Sequence, residues 1–470
     1  MQTIIYILPE LFLSFSVILL LMIGVFVKNS FKLVNLLTAL SLVFAMILVI
    51  NQPDEVIKVF HDSYIIDNFS KVMKVLTLLF CFFILISTKE YLKINNIDKI
   101  EYPIIILASV LGMLLMISSY DLIIFYLGLE LQSLCLYILA SFKKDDEKSA
   151  ESGLKYFVLS ALATGLLLYG CSLVYGFTGS TNFKIIAASA DTSNTGAVFG
   201  IVFIIVGLAF KVSAAPFHMW TPDVYEGSPT SVTSFFALVP KIAAMAVFIR
   251  FMHVPFTNLL SEWQTIIIFL SVASMILGAV AAIGQHNIKR LMAYSSISHI
   301  GYALAGLSTG TDSGFQSTIT YLIIYLIMNL GMFCCIFMMR RENIFYENIG
   351  ELSGLSKNHP MLALSFLIML FSMAGIPPLA GFFAKFYIFM AVIESKMYAL
   401  AIIGLLTTVI SAFYYLRIIK TIYFDKPKKE FETSYNLGLK IPLIASSILI
   451  LVYFIYPSLL TDVISQIEIY

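Results

Sequence analysis

The feature that most constrains the fold of this chain is a succession of long apolar runs separated by short polar loops. A transmembrane helix needs about 20 mainly apolar residues in a row. Such runs occur fourteen times, near residues 4–27, 33–50, 71–88, 103–118, 121–141, 153–177, 197–216, 230–252, 263–283, 291–308, 317–339, 361–393, 398–419 and 441–460. Inside a bilayer every backbone polar group needs an internal hydrogen-bond partner, which an α-helix supplies. The sequence therefore predicts an all-α polytopic membrane protein with about 14 transmembrane helices and no soluble domain.

Few residues of this chain are charged, which agrees with a membrane location. Of its 470 residues, 60% are hydrophobic and 12% are charged, whereas soluble domains carry about 25% charged residues. The formal net charge of +1 provides no strong positive field for binding nucleic acid. The five cysteines lie in apolar runs without C-x-x-C spacing, and there is no G-x-G-x-x-G or Walker A motif. We therefore expect no metal site, no cofactor-binding site and no redox-catalytic residue in this chain.

The orientation in the membrane is predicted by the basic residues of the loops. Loops on one side of the predicted spans carry 19 Lys and Arg residues, whereas those on the other side carry only Lys58, Lys184 and Lys396. Loops rich in Lys and Arg remain in the cytoplasm. Lys28 and Lys32 follow the first run instead of preceding it, which favours a retained span over a signal peptide. We expect a multi-pass protein of the bacterial inner (plasma) membrane, with both termini on the outer, periplasmic side.

Two of the apolar runs are interrupted by Gly and Pro beside a lysine. The first interruption follows Lys211 in KVSAAPFHMWTPDVYEGSP, and the second precedes Lys385 in GIPPLAGFFAK. Each interrupted run is the fourth of five consecutive spans, in spans 4–8 and in spans 9–13. A set of five spans begins and ends on opposite sides of the membrane, so a second copy that follows directly is inverted. Paired interrupted helices are typical of inverted-repeat transporters with a site near mid-membrane. We predict two inverted five-helix repeats, each with a broken helix, in a single membrane domain (1–470) made of three N-terminal spans (1–100), a first repeat (101–255), a second repeat (260–425) and a C-terminal span (426–470).

Ionisable residues inside the predicted spans are the candidate functional residues. A lysine at the centre of a membrane helix costs about 2.5–3.5 kcal/mol on insertion scales, and such residues usually have a function. The candidates for a proton path are Glu130, Lys155, Lys211, Lys241, His299 and Lys385.

Each candidate also has a purely structural interpretation. The mid-span glutamate and lysines could form ion pairs that only fix helix packing. Lys155 follows Glu151 at i+4 and could pair with it, and His299 could bond a backbone carbonyl. Lys71 and Lys74 are interpreted as side chains that extend to a surface.

The chemistry of buried lysines favours protons over metal cations. Burial removes hydration from an ammonium group and favours the neutral amine, whereas a nearby carboxylate favours the charged form. A movement of Glu130 relative to Lys211 could therefore switch that lysine between holding and releasing a proton. Lys211, Lys241 and Lys385 would then form a relay bridged by water and by Ser and Thr hydroxyls. A metal-cation path would need carboxylate or carbonyl oxygen ligands instead.

Six long motifs together resemble the antiporter-like membrane subunits of respiratory complex I, the proton-translocating NADH–quinone oxidoreductase. They read LGLELQSLCLYIL, ESGLKYFVLSALATG, FKVSAAPFHMWTPDVYEGSPT, PKIAAMAVFIR, GQHNIKRLMAYSSISHIGY and GIPPLAGFFAKFYIF, and the resemblance extends from about residue 70 to 425. It implies a fourteen-helix fold with two inverted five-helix repeats. It also places the buried glutamate and lysines of the family at Glu130, Lys155, Lys211, Lys241 and Lys385, and the histidine of the family's central polar axis at His299. Of the three types L, M and N, the chain most resembles N, because it ends soon after span fourteen and carries lysine, not glutamate, at position 385.

The resemblance implies a non-redox subunit of a translocase. Electron transfer from NADH to quinone would occur in other subunits, which would hold FMN and iron–sulfur clusters, and this chain would move protons. Its expected partners are an M-type neighbour, small membrane subunits, the peripheral arm indirectly and the lipid bilayer, but no nucleic acid. A subunit of a multi-component sodium/proton antiporter has the same fold and is the alternative. A passive membrane scaffold is an alternative of another class, for which the buried charges could be neutralised without loss of pumping.

The charge asymmetry of the loops leads to a test of topology. A reporter fused at Lys428 should be cytoplasmic, because the loop at 420–440 belongs to the basic set, as does the loop at 142–152. Accessibility of the reporter in intact cells measures this. A reporter at Lys428 that is accessible from outside contradicts the proposed orientation, and a second reporter at Lys396 should be external.

Overall fold

The computed structural model describes residues 2–189, 194–432 and 435–470, and these are almost entirely α-helical. The first helices are α1 (Gln2–Tyr6), α2 (Leu8–Phe26), α3 (Phe31–Ile50), α4 (Asn68–Ile94), α5 (Glu101–Ile117), α6 (Leu122–Ala140), α7 (Glu147–Thr178), α8 (Phe183–Ser189), α9 (Thr195–Val212) and α10 (Trp220–Gly227). The remaining helices are α11 (Thr230–His253), α12 (Leu260–Ile283), α13 (Ile288–Leu307), α14 (Asp312–Phe337), α15 (Leu355–Asn358), α16 (Pro360–Ala374), α17 (Ala380–Glu394), α18 (Tyr398–Phe424), α19 (Leu437–Ile455) and α20 (Ser458–Ser465). Two short antiparallel hairpins pair β1 (Ile57–Val59) with β2 (Tyr64–Ile66) and β3 (Arg340–Arg341) with β4 (Ile344–Phe345).

The helices agree with the apolar runs of the sequence. Each of the fourteen runs contains one long helix, or a pair of helices at the second interruption, in the predicted order. Among the described residues, eleven helices are long and apolar enough to cross a membrane, and Glu101–Ile117 and Pro360–Ala374 are shorter apolar helices. The predicted all-α polytopic fold is confirmed, while the count of fourteen crossings stays a prediction.

The centre of the molecule is formed by α11 and α14. In α11 the most apolar stretch of 18 residues is entirely buried, and in α14 almost all of it is buried. In α2, α7 and α18 less than half of the corresponding stretch is buried. A helix that is apolar all round is stable only when other helices, or lipid, surround it. Large apolar side chains such as Phe15, Leu162 and Val409 are exposed on the outer helices. These side chains form the lipid-facing surface, so α11 and α14 are the positions best shielded from lipid.

Both predicted helix interruptions are present, each next to a lysine. Helix α9 ends at Val212, and Ser213 has left-handed backbone with φ 67°. Helix α16 ends at Ala374, and Gly375 is left-handed with φ 84° before α17 begins at Ala380. A helix end leaves its last backbone carbonyls without intrahelical partners. The two interruptions therefore place hydrogen-bond acceptors in the interior of the helix bundle.

Helices approach so closely that glycine is required where α7 packs on α9, and also at the two helix pairs α5 with α6 and α12 with α13. A Cβ atom on Gly112 would lie 2.7 Å from the backbone nitrogen of Gln132, and one on Gly278 would lie 2.5 Å from that of Ser298. Only a residue without a side chain permits such an approach. These pairs begin the first and the second predicted repeat, so the same close packing recurs at corresponding places. The repeat boundaries and their inverted relation remain predictions.

The close approach at Gly112 leads to a stability prediction. Gly112→Ala should destabilise the protein by about 1–3 kcal/mol, because the new methyl group overlaps backbone atoms of α6 that cannot move independently. Thermal unfolding of the purified protein in detergent measures this. Gly165→Ala is the matched control, because a Cβ atom at that position would meet no neighbouring atom within 4 Å and alanine favours helix over glycine. Equal stability of the two variants would show that α5 and α6 do not need this contact.

Candidate functional site

Lys211 lies at the end of α9, and its ammonium group is surrounded by hydroxyl groups. The side chain is buried, and Nζ donates to Ser133 Oγ of α6 at 2.6 Å and to Ser160 Oγ of α7 at 2.8 Å. The hydroxyl of Tyr137 donates to the same Ser160 oxygen at 2.6 Å. Two helices, α6 and α7, thus supply neutral polar partners to one buried cation on a third.

Glu130 lies one turn before Ser133 on α6, but it is less enclosed than its mid-span position suggested. The residue is only half-buried, and its neighbours on that face, Leu127 and Leu134, are exposed. The hydrogen bonds of Lys211 go to serine hydroxyls, not to this carboxylate. The position of a residue along a span predicts its depth in the membrane, but not the side of the helix on which it lies. The sequence therefore could not distinguish an enclosed Glu130 from one at the edge of the chain. Glu130 lies near the edge of the chain, one turn from a serine that bonds Lys211.

Lys241 lies in the middle of α11, the most enclosed helix. Its side chain is 2% exposed, and Nζ donates to Ser296 Oγ of α13. The hydroxyls of Ser296 and Tyr325, the latter on α14, lie 2.6 Å apart. The ring of Tyr225 lies 5.6 Å from Nζ, at a distance where an aromatic face attracts a cation. Lys241 is therefore held by hydroxyl and aromatic groups.

His299 lies one turn after Ser296 on α13, and both of its ring nitrogens contact tyrosine hydroxyls. Nδ1 lies 2.6 Å from Tyr321 Oη, and Nε2 lies 3.2 Å from Tyr415 Oη. The structural alternative, a bond to a backbone carbonyl, is not what these contacts show. Tyr415 Oη is in turn 2.6 Å from Ser295 Oγ. A neutral imidazole donates from one nitrogen and accepts at the other, so this arrangement can pass a proton across the ring.

Lys385 lies in α17 and is bonded by the backbone at the second helix interruption. Its buried Nζ donates to the carbonyl oxygens of Met373 and Ala374, each at 3.2 Å. These carbonyls belong to the last turn of α16, where the helix dipole favours a positive charge. The ring of Tyr302, on α13, lies 5.0 Å from Nζ. The interruption thus stabilises a lysine by backbone dipoles in place of a carboxylate.

Helix α13 connects the second and third of these lysines. Ser296, His299 and Tyr302 are spaced three residues apart, so each is a neighbour of the next along one inclined row of the helix surface. The first contacts Lys241 and the last contacts Lys385. We call this row on α13, from Ser296 to Tyr302, the polar seam. It places Lys241, His299 and Lys385 among neighbouring polar groups. The relay of Lys211, Lys241 and Lys385 stays a prediction.

Lys155 lies apart from the buried lysines, in a charged cluster near the beginning of α7. It forms ion pairs with Glu151 at 2.7 Å and with Asp223 at 2.8 Å, and Asp223 also pairs with Arg290 at 2.9 Å. Burial alone would raise the pKa of Asp223, but hydrogen bonds from Lys155 and Arg290 outweigh it and lower that pKa below its ordinary value of 3.8. The lysine side chain is 42% exposed. The structural alternative, pairing with Glu151, is therefore observed.

Lys74 is a buried lysine that the sequence interpretation placed at a surface, and that interpretation is wrong. Its Nζ donates to Glu10 Oε1 and to Tyr64 Oη, both at 2.7 Å, and the side chain is completely buried. Lys71, one turn earlier, does reach the surface and pairs with the exposed Asp54. The sequence signal for this ion pair is a glutamate in the first apolar run and a lysine in the third. Opposite charges inside membrane spans usually pair with one another. Within the described ranges, no group of three or more His, Cys, Asp or Glu side chains is placed to hold a metal ion.

Comparison with known proteins identifies the family. Residues 119–411 match the family model described as NADH:quinone oxidoreductase/Mrp antiporter, TM. The chain belongs to this family. Family membership confirms the interpretation of the six motifs, and the matched region includes every candidate residue from Glu130 to Lys385.

Similar members of the family match nearly the whole chain. NADH-quinone oxidoreductase subunit N of Pelagibacter ubique is 62% identical over 465 residues, covering 99% of each chain. The protein of that name from Rhodospirillum rubrum is 50% identical over 461 residues, covering 97% of this chain and 95% of the relative. Both relatives carry the N-type name that the sequence predicted.

Two solved structures share the fold. A chain of respiratory complex I from Thermus thermophilus with bound aureothin aligns with a TM-score of 0.84 at 30% identity, covering 97% of this chain and 98% of that chain. A chain of the Mrp complex from Dietzia aligns with a TM-score of 0.86 at 21% identity, covering 97% and 95%. The second likeness concerns the fold alone.

The cluster around Asp223 leads to a prediction about stability and pH. Asp223→Asn should lower stability by about 1 kcal/mol or less, because the group is partly exposed and solvent screens its ion pairs. A carboxyl group whose pKa is lower in the folded than in the unfolded protein stabilises the fold above its unfolded-state pKa. This stabilisation is lost as the pH falls through the folded-state pKa. The deficit of the variant should therefore be constant above about pH 5 and should shrink as the pH falls below 3.8. Thermal unfolding at several pH values tests this, with Asp145→Asn, at an exposed loop position, as the control. A deficit that grows at low pH contradicts the assignment.

Proposed function

We propose that this chain is the N-type, proton-translocating membrane subunit of an NADH–quinone oxidoreductase. The polar seam on α13 carries the proposal, because it joins Lys241, His299 and Lys385 through neighbouring hydroxyl and aromatic groups. The names of the relatives, which align over nearly their full length, support the assignment to this complex.

The partners of the three mid-span lysines suit proton transfer. Lys211 and Lys241 donate to serine hydroxyls, and Lys385 donates to backbone carbonyls. Burial favours the neutral amine, and no partner on these hydrogen bonds carries a full negative charge to oppose it. A serine hydroxyl can donate to the amine once the lysine has released its proton. Each lysine can therefore change its charge while its side chain stays in place.

Glu130 is proposed to adjust the charge of Lys211. It is half-buried and lies one turn from Ser133, which bonds Lys211. A carboxylate nearby favours the ammonium form, so a change of charge at the edge of α6 alters the proton affinity of Lys211. The exposed face of α6 is where a neighbouring subunit would exert that effect. Lys155 belongs to this proposal as a charged group near the beginning of α7 that steers protons, not as a member of the buried line.

The redox chemistry is assigned to other subunits. FMN, iron–sulfur clusters, NADH and the quinone would be bound there, and this chain would contribute no redox group. An M-type subunit and small membrane subunits are the proposed neighbours, and the peripheral arm is coupled only indirectly. The complex would lie in the bacterial inner membrane, with both termini of this chain on the outer side.

Variants at Lys211 test the proposed function. In membrane vesicles containing the assembled complex, Lys211→Ala should reduce proton pumping by about a hundredfold, within the range that acid–base groups contribute. NADH oxidation should fall with it if electron transfer and pumping are tightly coupled. Glu130→Gln should act in the same direction, because it removes the charge that favours the ammonium form.

Lys211→Arg is the decisive control, because it keeps the positive charge but cannot release a proton at neutral pH. An arginine variant that assembles and pumps like the parent would mean that Lys211 is a fixed charge. Pumping of sodium in exchange for protons, without NADH oxidation in the purified assembly, would favour the antiporter alternative. Normal pumping by the alanine variant would favour the passive scaffold.

A further inference from the structure

A second buried ion pair lies outside the region of the proposed relay. Glu10, in the first turn of α2, pairs with Lys74 of α4 at 2.7 Å, and the exposed fractions of the two side chains are 4% and 0%. Lys74 also donates to Tyr64 Oη at 2.7 Å and lies 4.9 Å from the ring of Tyr64. A buried pair of this kind often contributes little net stability, because desolvation of both charges offsets their attraction. Helix packing alone therefore does not account for it.

The depth of Lys74 is close to that of Lys241. Helices α4 and α11 run antiparallel, because Arg250 near the end of α11 bonds Asp67 at the start of α4 with two contacts of 2.9 Å, while Tyr91 near the end of α4 bonds Thr230 at the start of α11. Lys74 follows Asp67 by seven residues, or about 10 Å of helix, and Lys241 precedes Arg250 by nine residues, or about 13 Å. The two lysines thus lie at nearly the same level on adjacent helices.

Glu10 extends from this level toward a pocket at the beginning of α2. Glu10 Oε1 accepts from Lys74, whereas Glu10 Oε2 is buried and accepts no hydrogen bond from the described residues. The carboxyl group lines a pocket of about 350 Å³ together with Ser14, Tyr64 and Phe60. Seven of the ten lining residues are apolar, so water in this pocket is expected only beside its three polar side chains, Glu10, Ser14 and Tyr64. The free oxygen is therefore the one placed to exchange a proton with water.

We propose that Glu10 and Lys74 form a further proton-binding site, which connects the level of the buried lysines with the outer surface through this pocket. The inference rests on the proposed function, because it gives that proton path an outer end. It adds a carboxylate and a lysine from the three N-terminal spans to a path otherwise made of the two repeats.

The proton transfer at this site leaves the net charge unchanged. An N–H bond of Lys74 breaks and an O–H bond forms at Glu10 Oε1, which converts the ion pair into a neutral amine and a neutral acid. Rotation of the protonated carboxyl group turns this O–H bond toward the pocket, where it breaks as a water molecule takes up the proton. The carboxylate is restored, and the amine takes up the next proton from the interior. The other ionisable groups facing the pair are Tyr64, Asp67 and Arg250, and the last two neutralise each other.

Lys74→Arg separates a proton carrier from a structural ion pair. Arginine keeps the charge and can bond Glu10, but it does not release its proton. In vesicles of the assembled complex, we expect proton pumping by this variant to fall about tenfold or more, because a proton-transfer group is lost. The double variant E10Q/K74M should also lose pumping, although it leaves no unpaired buried charge. Lys71→Met, one turn earlier and at the surface, is the matched control and should pump like the parent.

Assembly of each variant is measured by subunit content and thermal unfolding, so that a failure to fold is recognised. An assembled Lys74→Arg complex that pumps like the parent overturns the inference, and so does an assembled E10Q/K74M complex with normal pumping. If Lys211→Ala stops pumping while both outer-site variants pump normally, only this inference fails. If Lys211→Ala also pumps normally, the proposed function itself fails.

Discussion

The cost of placing ionisable groups among apolar helices is the constraint on which this structure depends. A charged side chain in the bilayer needs partners that the surrounding helices must provide. Here the partners of Lys211, Lys241 and Lys385 are hydroxyls and backbone carbonyls, whereas Lys74 has a carboxylate. The three lysines with neutral partners form the proposed interior of the proton path. The lysine with a carboxylate lies where the path is proposed to reach the surface.

Helix geometry explains how polar groups come to surround Lys241, His299 and Lys385. An interrupted helix releases backbone carbonyls, and at α16 these carbonyls bond Lys385 directly. An uninterrupted helix with polar residues at every third position gives a polar strip, and α13 presents Ser296, His299 and Tyr302 in this way. Because α11 and α14 are almost wholly enclosed, the polar strip is shielded from lipid on both sides. The same architecture keeps these polar groups away from lipid.

Much of this arrangement could be predicted from the sequence. Apolar runs of membrane length identify the helices, and Gly and Pro clusters identify both interruptions next to Lys211 and Lys385. The sequence does not reveal which side of a helix a mid-span residue occupies, and Glu130 is half-buried although its position suggests an enclosed partner. Lys155 and Lys74 are hard to place for a related reason: the length of a lysine side chain lets it reach either a surface or a buried acid. Only the packing of α2 against its neighbours shows that Lys74 meets Glu10.

The buried lysines are proposed to change their protonation state during turnover. Infrared difference spectra of the assembled complex, recorded during NADH oxidation with ¹⁵N-labelled lysine, observe the ammonium bending vibration directly. We expect an isotope-sensitive ammonium band that appears and disappears during turnover and is reduced in a Lys241→Met variant. A spectrum in which no lysine band changes while protons are pumped would contradict it.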